Sequence, residues 1–398
     1  MSKPRISLAM IAKDEEANIG RAIRSAASYC HQIVVVDTGS SDGTVGIARS
    51  LGAEVHSFPW NGSFADARNE ALRHCTGDWV LFMDCDEELD AATAPRLVAL
   101  ARAAGQKVRC YSVLVRSADD RPGSGYSESY AQRFFRRDPS VHWERPIHEQ
   151  LAGCDEYVPT RELVLSHTGY LREVFEGRGK AERNIAALEA MLEAKRDPFD
   201  LFNLGKELYV LGRHAEALPL FEEVIASEKP AANRAFVAYA YALAVGCCVM
   251  GGDLQHGIEI GERGARHYRY SDLYCNLGSC YLNSGNPDRA IVLYGAAISV
   301  GSSEVADGDV GASGWRSHEY MGHAYATKGE YVRAVECYLA SERLAPSRPE
   351  PRIRAAVALA GLGEMALARS YLRGVLACWP DNEQARAGLA KLQEMETA

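Results

Sequence analysis

Carboxylates gather where three apolar runs end. Trp79–Met83 leads directly into Asp84-Cys85-Asp86-Glu87-Glu88, Ile6–Ile11 is followed by Lys13-Asp14-Glu15-Glu16, and Ile33–Val36 ends in Asp37. Acids at alternate positions leaving a buried strand suit a divalent cation. Mg2+ or Mn2+ takes one or two carboxylates and fills its shell with phosphate oxygens and water. A bare dinucleotide site needs the opposite composition, with glycines after the first strand and pyrophosphate at a helix N-terminus. This chain has no GxGxxG in that turn and no GxxxxGK[ST]; the nearest fragment, Gly177–Lys180, lies beyond the sheet region. Taken alone, an Asp-x-Asp pair reads more readily as a cap for the next helix, expected near Ala91. Its surroundings favour the cation.

Such residues need a scaffold that brings strand ends together. The three apolar runs have the continuous character of parallel strands buried on both faces. Helical patterns separate them at Glu15–Ser28, Thr44–Leu51 and Phe64–Cys75, and further strands are expected at Val108–Val115, Tyr130–Arg136 and Leu163–Ser166. Alternation of this kind means an α/β domain with a mostly parallel sheet, whose ligands bind beyond the strands' carboxyl ends.

From Pro198 the strand signal gives way to a repeat. Leu204-Gly205, Leu277-Gly278 and Met321-Gly322 each precede a turn glycine, an alanine and an aromatic residue in one register, and Ala356 opens a fourth copy. Gly329 and Gly363, Ala334 and Ala368, and Pro346 and Pro380 are each 34 residues apart. Small residues at helix crossings, aromatics beyond them and a terminating proline resemble the tetratricopeptide repeat. A degenerate copy is expected at Phe236–His267, a capping helix at Glu383–Glu394, and a flexible insertion at Gly301–Gly314. Most repeat aromatics read as packing. Lys206, Ser279 and His323, just after the glycine landmarks or their equivalents, are candidates for a concave binding face. The expected organisation is residues 1–170 as the α/β domain, 171–197 as a helical linker and 198–398 as the all-α repeat superhelix.

Composition narrows the partners. Apolar residues form 47% of the 398-residue chain and charged residues 24%, an ordinary globular balance that argues against disorder. The net charge is −9 with scattered basic residues, so nucleic acid and anionic lipid are not the expected partners. Eleven cysteines without a CxxC pair, several inside apolar helical runs, fit a reduced, cytoplasmic compartment. No apolar run approaches the ~20 residues of a membrane span, and no signal peptide is expected before Ile6.

The motifs SLAMIAKDEE (Ser7–Glu16), IVVVDTGSSDGT (Ile33–Thr44), FADARNEAL (Phe64–Leu72) and WVLFMDCDEEL (Trp79–Leu89) resemble, in order and spacing, the family 2 inverting glycosyltransferases of GT-A fold. Ile147–Glu149 and SHTGY (Ser166–Tyr170) extend the resemblance over about the first 170 residues. Within that family the pattern is similar to the bacteriocin peptide S-glycosyltransferase (sublancin-type) branch, which carries tetratricopeptide repeats. The resemblance implies a UDP-sugar donor and Mn2+ or Mg2+. It implies that Ile11 and Lys13 flank the nucleobase, that Asp37 bonds base or ribose, and that Arg68 approaches the nucleotide. Asp84 would hold ribose or a metal-bound water, Asp86 and His167 the metal itself, and Glu149 would be the acceptor base. Plainer roles stand beside these: Asp37 could start the Thr38–Gly43 turn, and Arg68 could pair with Asp66 or Glu70 on its helix.

Together these readings give an inverting transferase acting on a Ser, Thr or Cys of a peptide or protein, with the repeats selecting the acceptor. A lipopolysaccharide or capsular acceptor, and a repeat scaffold with an inactive transferase domain, are the alternatives. The array could instead form a homodimer.

Overall fold

The computed structural model describes residues 4–118, 126–154, 156–167, 173–227, 235–301 and 310–397. The chain divides into two units with the boundary at Leu188 and Glu189. In the first unit the strands are β1 (Ile6–Ala12), β2 (Gln32–Asp37), β3 (Glu54–Ser57), β4 (Trp79–Phe82), β5 (Glu87–Leu89), β6 (Cys110–Ala118), β7 (Tyr126–Arg136), β8 (His142–Glu144), β9 (Gln150–Ala152) and β10 (Tyr157–His167). Its helices are α1 (Ile19–Ala26), α2 (Thr44–Ser50), α3 (Phe64–His74) and α4 (Arg96–Ala103); α5 (Glu173–Ala194) contains the boundary between units.

Eight strands form one mixed sheet in the order β3-β2-β1-β4-β7-β6-β10-β5, and β8 and β9 form a separate ribbon. The apolar runs β1 and β4 sit inside the sheet because both faces are covered. Ile6, Leu8 and Met10 join Ile19, Ile23, Leu97 and Leu100 in one core. Ala9, Val34, Val36 and Phe82 join Ala71 of α3 and Trp143 and Leu151 of the ribbon in the other. Pairing is parallel from β3 through β4 and between β6 and β10, and antiparallel at β4–β7, β6–β7 and β10–β5. Tyr111 pairs with Phe134 but Ser112 with Gln132, which makes Arg133 the extra residue of a β-bulge.

Two sequence expectations need correction here. The first helix starts at Ile19 rather than Glu15: Glu16–Asn18 form a turn whose Asn18 and Ile19 amides bond to the Glu15 carbonyl, while the Glu15 and Glu16 amides bond to Thr44 and Asp42. The acids after β4 do not cap a helix near Ala91. They run into β5, and α4 begins only at Arg96.

The second unit is a row of helical hairpins: α6 (Pro198–Val210) with α7 (His214–Ser227), α8 (Ala235–Gly251) with α9 (Leu254–Ala265), and α10 (Ser271–Asn283) with α11 (Pro287–Val300). After the short α12 (Val310–Ser313) come α13 (Trp315–Thr327) with α14 (Tyr331–Leu344), α15 (Glu350–Gly361) with α16 (Met365–Cys378), and the terminal α17 (Glu383–Thr397). Asp197, Asp253 and Asn286 cap helices through their side chains, and Gly285 and Gly329 end first helices with φ of 82° and 75°. The degenerate copy is the α8–α9 hairpin, whose first helix is apolar almost throughout. The central part of the expected insertion, residues 302–309, lies outside the described residues. No described helix is long and apolar enough to cross a membrane.

The repeat register has a steric origin. A Cβ added at Gly205, Gly278 or Gly322 would lie 2.7 Å from the ring of Phe221, Tyr294 or Tyr338 respectively. The small residue lets the paired helix press its buried aromatic ring against the backbone. Gly322→Ala is therefore expected to destabilise the protein by about 1–3 kcal/mol through overpacking. Gly46→Ala, in α2 with nothing within 4 Å of the new methyl, is expected to gain about 0.5–1 kcal/mol. Chemical denaturation followed by circular dichroism checks both signs.

Candidate active site

The crevice wall is two turns that hold each other. The Asp14 carboxylate accepts from the Ser41 amide at 2.7 Å, Glu16 accepts from the Gly43 amide at 2.8 Å, and the Lys13 ammonium donates to the Gly39 carbonyl at 2.6 Å. Asp14 adopts the left-handed region at φ 53° to do this, and the Ser41 amide and hydroxyl hold its carboxyl below the ordinary value. Asp37, nearly buried, accepts from the Gly39 and Ser40 amides at 3.2 Å and shapes the turn that follows. Ile11 is half-buried at the end of the strand, its carbonyl facing the Cys85 thiol at 3.3 Å.

Beside this wall five charges alternate in sign. Arg68 of α3 donates from Nε to Glu149 at 2.6 Å and from Nη2 to Asp84 Oδ1 at 2.8 Å. Its guanidinium lies 4.6 Å from the Phe82 ring and 5.0 Å from that of Trp143. Arg133 of β7 donates from Nη2 to Asp84 Oδ2 at 2.5 Å and to Glu87 at 3.0 Å. Glu87 also accepts from the Asp84 amide at 2.9 Å. Burial alone would push the Asp84 carboxyl up, but Arg133 and Arg68 outweigh it and hold it well below the usual range. Glu87 is raised, because its burial outweighs Arg133.

The second acid of the Asp-x-Asp pair meets the histidine. Pairing of β5 with β10 sets His167 opposite Glu87, and His167 Nε2 lies 3.0 Å from Asp86 Oδ2. Burial lowers the imidazole's pKa, but the bond to Asp86 together with the charges of Asp86, Glu87 and Asp84 outweighs burial and leaves it raised. Donor atoms about 3 Å apart suit neighbouring positions on one octahedral ion with bonds of about 2.1 Å, so this pair fits a divalent cation. Both oxygens of Asp84 are instead held by arginines. Among the described residues no group of three or more His, Cys, Asp or Glu side chains is arranged to hold a metal ion. Thr168–Tyr170, the rest of the SHTGY motif, lie outside the described residues.

Glu149 is delivered by the ribbon. The segment joining β8 to β9 contains Arg145 at φ 77° and His148 at φ 49°, both left-handed without being glycine. Asn69 pins this ribbon to α3 by exchanging two 2.8 Å hydrogen bonds with the Trp143 backbone, and the Phe64 amide donates to the Pro146 carbonyl. Sequence reasoning missed Asn69, Glu87 and Arg133. The first stands beside Arg68 and the second inside the acidic run. Arg133 is a lone cation before two buried phenylalanines.

In the repeat unit Lys206 Nζ sits 5.9 and 5.8 Å from the Phe202 and Tyr239 rings. His323, exposed, meets Arg354 at 2.8 Å, whereas Ser279 bonds back to the Cys275 carbonyl. A 390 Å3 cavity on the flank of the first unit, lined by Asn69, Val80, Phe135 and Val141 among others, contains none of the expected site residues.

The ion chain makes a pH prediction. Because the folded Asp84 carboxyl is lowered, its contribution is full above the ordinary value of 3.8 and is lost as pH falls through the folded value. Asp84→Asn is expected to destabilise at neutral pH, near the low end of roughly 3–5 kcal/mol for breaking a buried pair. The gap to wild type should narrow in acid. Denaturation at several pH values measures it, and a gap unchanged in acid would show that the two arginines do not depend on this carboxylate.

Comparison with known proteins agrees with this geometry. Residues 7–177 match the model for Glycosyl transferase family 2, and residues 202–246, 271–300 and 313–383 match tetratricopeptide repeat models. A TPR repeat-containing protein of Synechococcus elongatus is 32% identical over 198 residues, 47% of this chain and 48% of that protein. The SPbeta prophage-derived glycosyltransferase SunS of Bacillus subtilis is 26% identical over 233 residues, 57% of this chain and 54% of that protein. An uncharacterized glycosyltransferase of Rickettsia typhi is 46% identical over 85 residues, 21% of this chain and 29% of that protein. The matched segment thus spans about half the length of the first two relatives. With the Asp-x-Asp acids, Arg68 and Glu149 assembled at the strand ends, the chain carries a glycosyl transferase family 2 domain joined to C-terminal tetratricopeptide repeats.

Proposed function

We propose that the protein is an inverting glycosyltransferase that moves a sugar from a UDP-sugar to a Ser, Thr or Cys of a peptide or protein. The observation that carries this reading is Arg68 held between Asp84 and Glu149, beside the Asp86–His167 pair, at the carboxyl edge of the sheet. Glu149 Oε1 is taken by Arg68, so Oε2 receives the proton of the attacking hydroxyl or thiol. The acceptor oxygen or sulfur bonds to the anomeric carbon as the bond from that carbon to the diphosphate oxygen breaks, and UDP leaves with the electron pair. Asp86 and His167 would hold Mn2+ or Mg2+, which would neutralise charge on the departing diphosphate. Arg68 offsets the charge of Glu149 and Asp84 beside it. The Asp14–Asp37 turns, with Ile11 and Lys13, line the nucleoside side. The acceptor assignment rests on the resemblance to the peptide S-glycosyltransferase branch and on the repeats, whose first helices offer Lys206 and His323 to an extended chain.

Purified protein given UDP-glucose or UDP-N-acetylglucosamine is expected to release UDP, to stop on chelation and to restart with Mn2+. Asp86→Ala should damage donor binding and transfer together. Glu149→Gln should keep donor binding and lose on the order of 10²-fold or more in transfer. Turnover undiminished in excess chelator would remove the metal from the reading, and normal turnover by Glu149→Gln would move the base elsewhere, with Glu128 and the undescribed Asp119 and Asp120 next in line.

Lys206→Glu and His323→Ala are expected to raise the apparent KM for a long acceptor while leaving donor hydrolysis unchanged. Steady-state kinetics with a peptide acceptor, alongside sedimentation, decide the point. Unchanged acceptor kinetics with a dimer converted to monomer would assign the repeats to assembly.

A further inference from the structure

Asp84 and Asp86 are two residues apart, yet they have different partners. Asp84 Oδ1 is held by Arg68 and Oδ2 by Arg133, whereas Asp86 meets His167. The residue that enforces this division is Arg133, which appears in none of the motifs read from the sequence. It is the unmatched residue of the β6–β7 bulge, where a strand's side chain is redirected. Its side chain is 13% exposed, its Nη2 is shared between Asp84 and Glu87, and its Nε has no hydrogen-bond partner. Glu87 fixes the same turn through the Asp84 amide. A cation that recruited Asp84 would have to displace a guanidinium and stand against its charge.

We infer that Arg133 is a positioning residue that withholds Asp84 from the cation. This leaves Asp86 and His167 as the protein's two ligands and makes donor diphosphate necessary to complete the ion's shell. The inference rests on the donor reading given above. Its consequence is that the ion binds together with the nucleotide and only weakly without it.

The test measures Mn2+ uptake by the full-length protein, from the electron paramagnetic resonance signal of free Mn2+, with and without UDP. Wild type is expected to bind Mn2+ tightly only with UDP. Arg133→Met frees Asp84 Oδ2 but leaves Glu87 buried and unpaired, which endangers folding. The pair Arg133→Met with Glu87→Gln removes both charges and keeps the test usable if the single variant unfolds. The variant that remains folded by thermal melting is expected to bind Mn2+ without nucleotide at least about tenfold more tightly than wild type. Adding Asp84→Asn should abolish the gain. Unchanged or weaker affinity in the folded variant, or a gain that survives loss of Asp84, overturns the assignment to Arg133. Wild type that takes up no Mn2+ even with UDP would instead overturn the donor reading itself.

Discussion

Two guanidinium groups share one carboxylate at Asp84, and the active-site half of the catalytic unit is arranged around that fact. Charges removed from water are tolerable only when each has an opposite neighbour and its hydrogen bonds are met. The alternation Glu149, Arg68, Asp84, Arg133, Glu87 gives every charge an opposite neighbour, with side chains from α3, the turn after β4, β5, β7 and the ribbon, although Arg68 Nη1 and Arg133 Nε are left without a hydrogen bond. None of the three inner members, Arg68, Asp84 and Arg133, can leave without setting like charges side by side or stranding a charge in the interior. The aromatic faces of Phe82 and Trp143 complete the enclosure of Arg68, and Asn69 keeps Trp143 in place. In the repeats, by contrast, buried rings against glycines carry the packing.

Much of this was legible in the sequence because it is local. Continuous apolar runs gave β1, β2 and β4, and the recurring glycine, alanine and aromatic landmarks gave the hairpins. The acidic strand ends and the Ala67-Arg68-Asn69 motif supplied residues that the fold brings together, Arg68 with Asp84. What escaped is short or long-range. β3, β5, β8 and β9 have only three or four residues each, too few for a period to show. The role of Arg133 depends on a one-residue slip in strand pairing, and the meeting of Asp86 with His167 on pairing between β5 and β10. Neither leaves a local trace. Asp37 illustrates the opposite case: the turn-forming role read from its neighbours is visible in its bonds to Gly39 and Ser40.

The backbone carries its own record of the site. Asp14, Arg145 and His148 are the described non-glycine residues with positive φ, and all three lie in the loops that build the crevice or present Glu149. Left-handed backbone costs a β-carbon-bearing residue of order 1–3 kcal/mol, which is retained where the surrounding bonds fix it. At Asp14 those bonds are visible in the Ser40 hydroxyl and the Ser41 amide.

The pairing of β5 with β10 also has a bearing on how the protein is made. The bonds that join the two turns of the crevice wall span 26 to 29 residues, so they can close soon after the first quarter of the first unit leaves the ribosome. The bonds from Arg68 to Glu149 and from His167 to Asp86 each span 81 residues. Such distant contacts close late, because loop-closure entropy must be met before they form. On this order of closure, the turns of the crevice wall would form before the acids after β4 meet their partners. The last strand of the sheet, β10, brings His167 to Asp86, and the repeats are translated only afterwards.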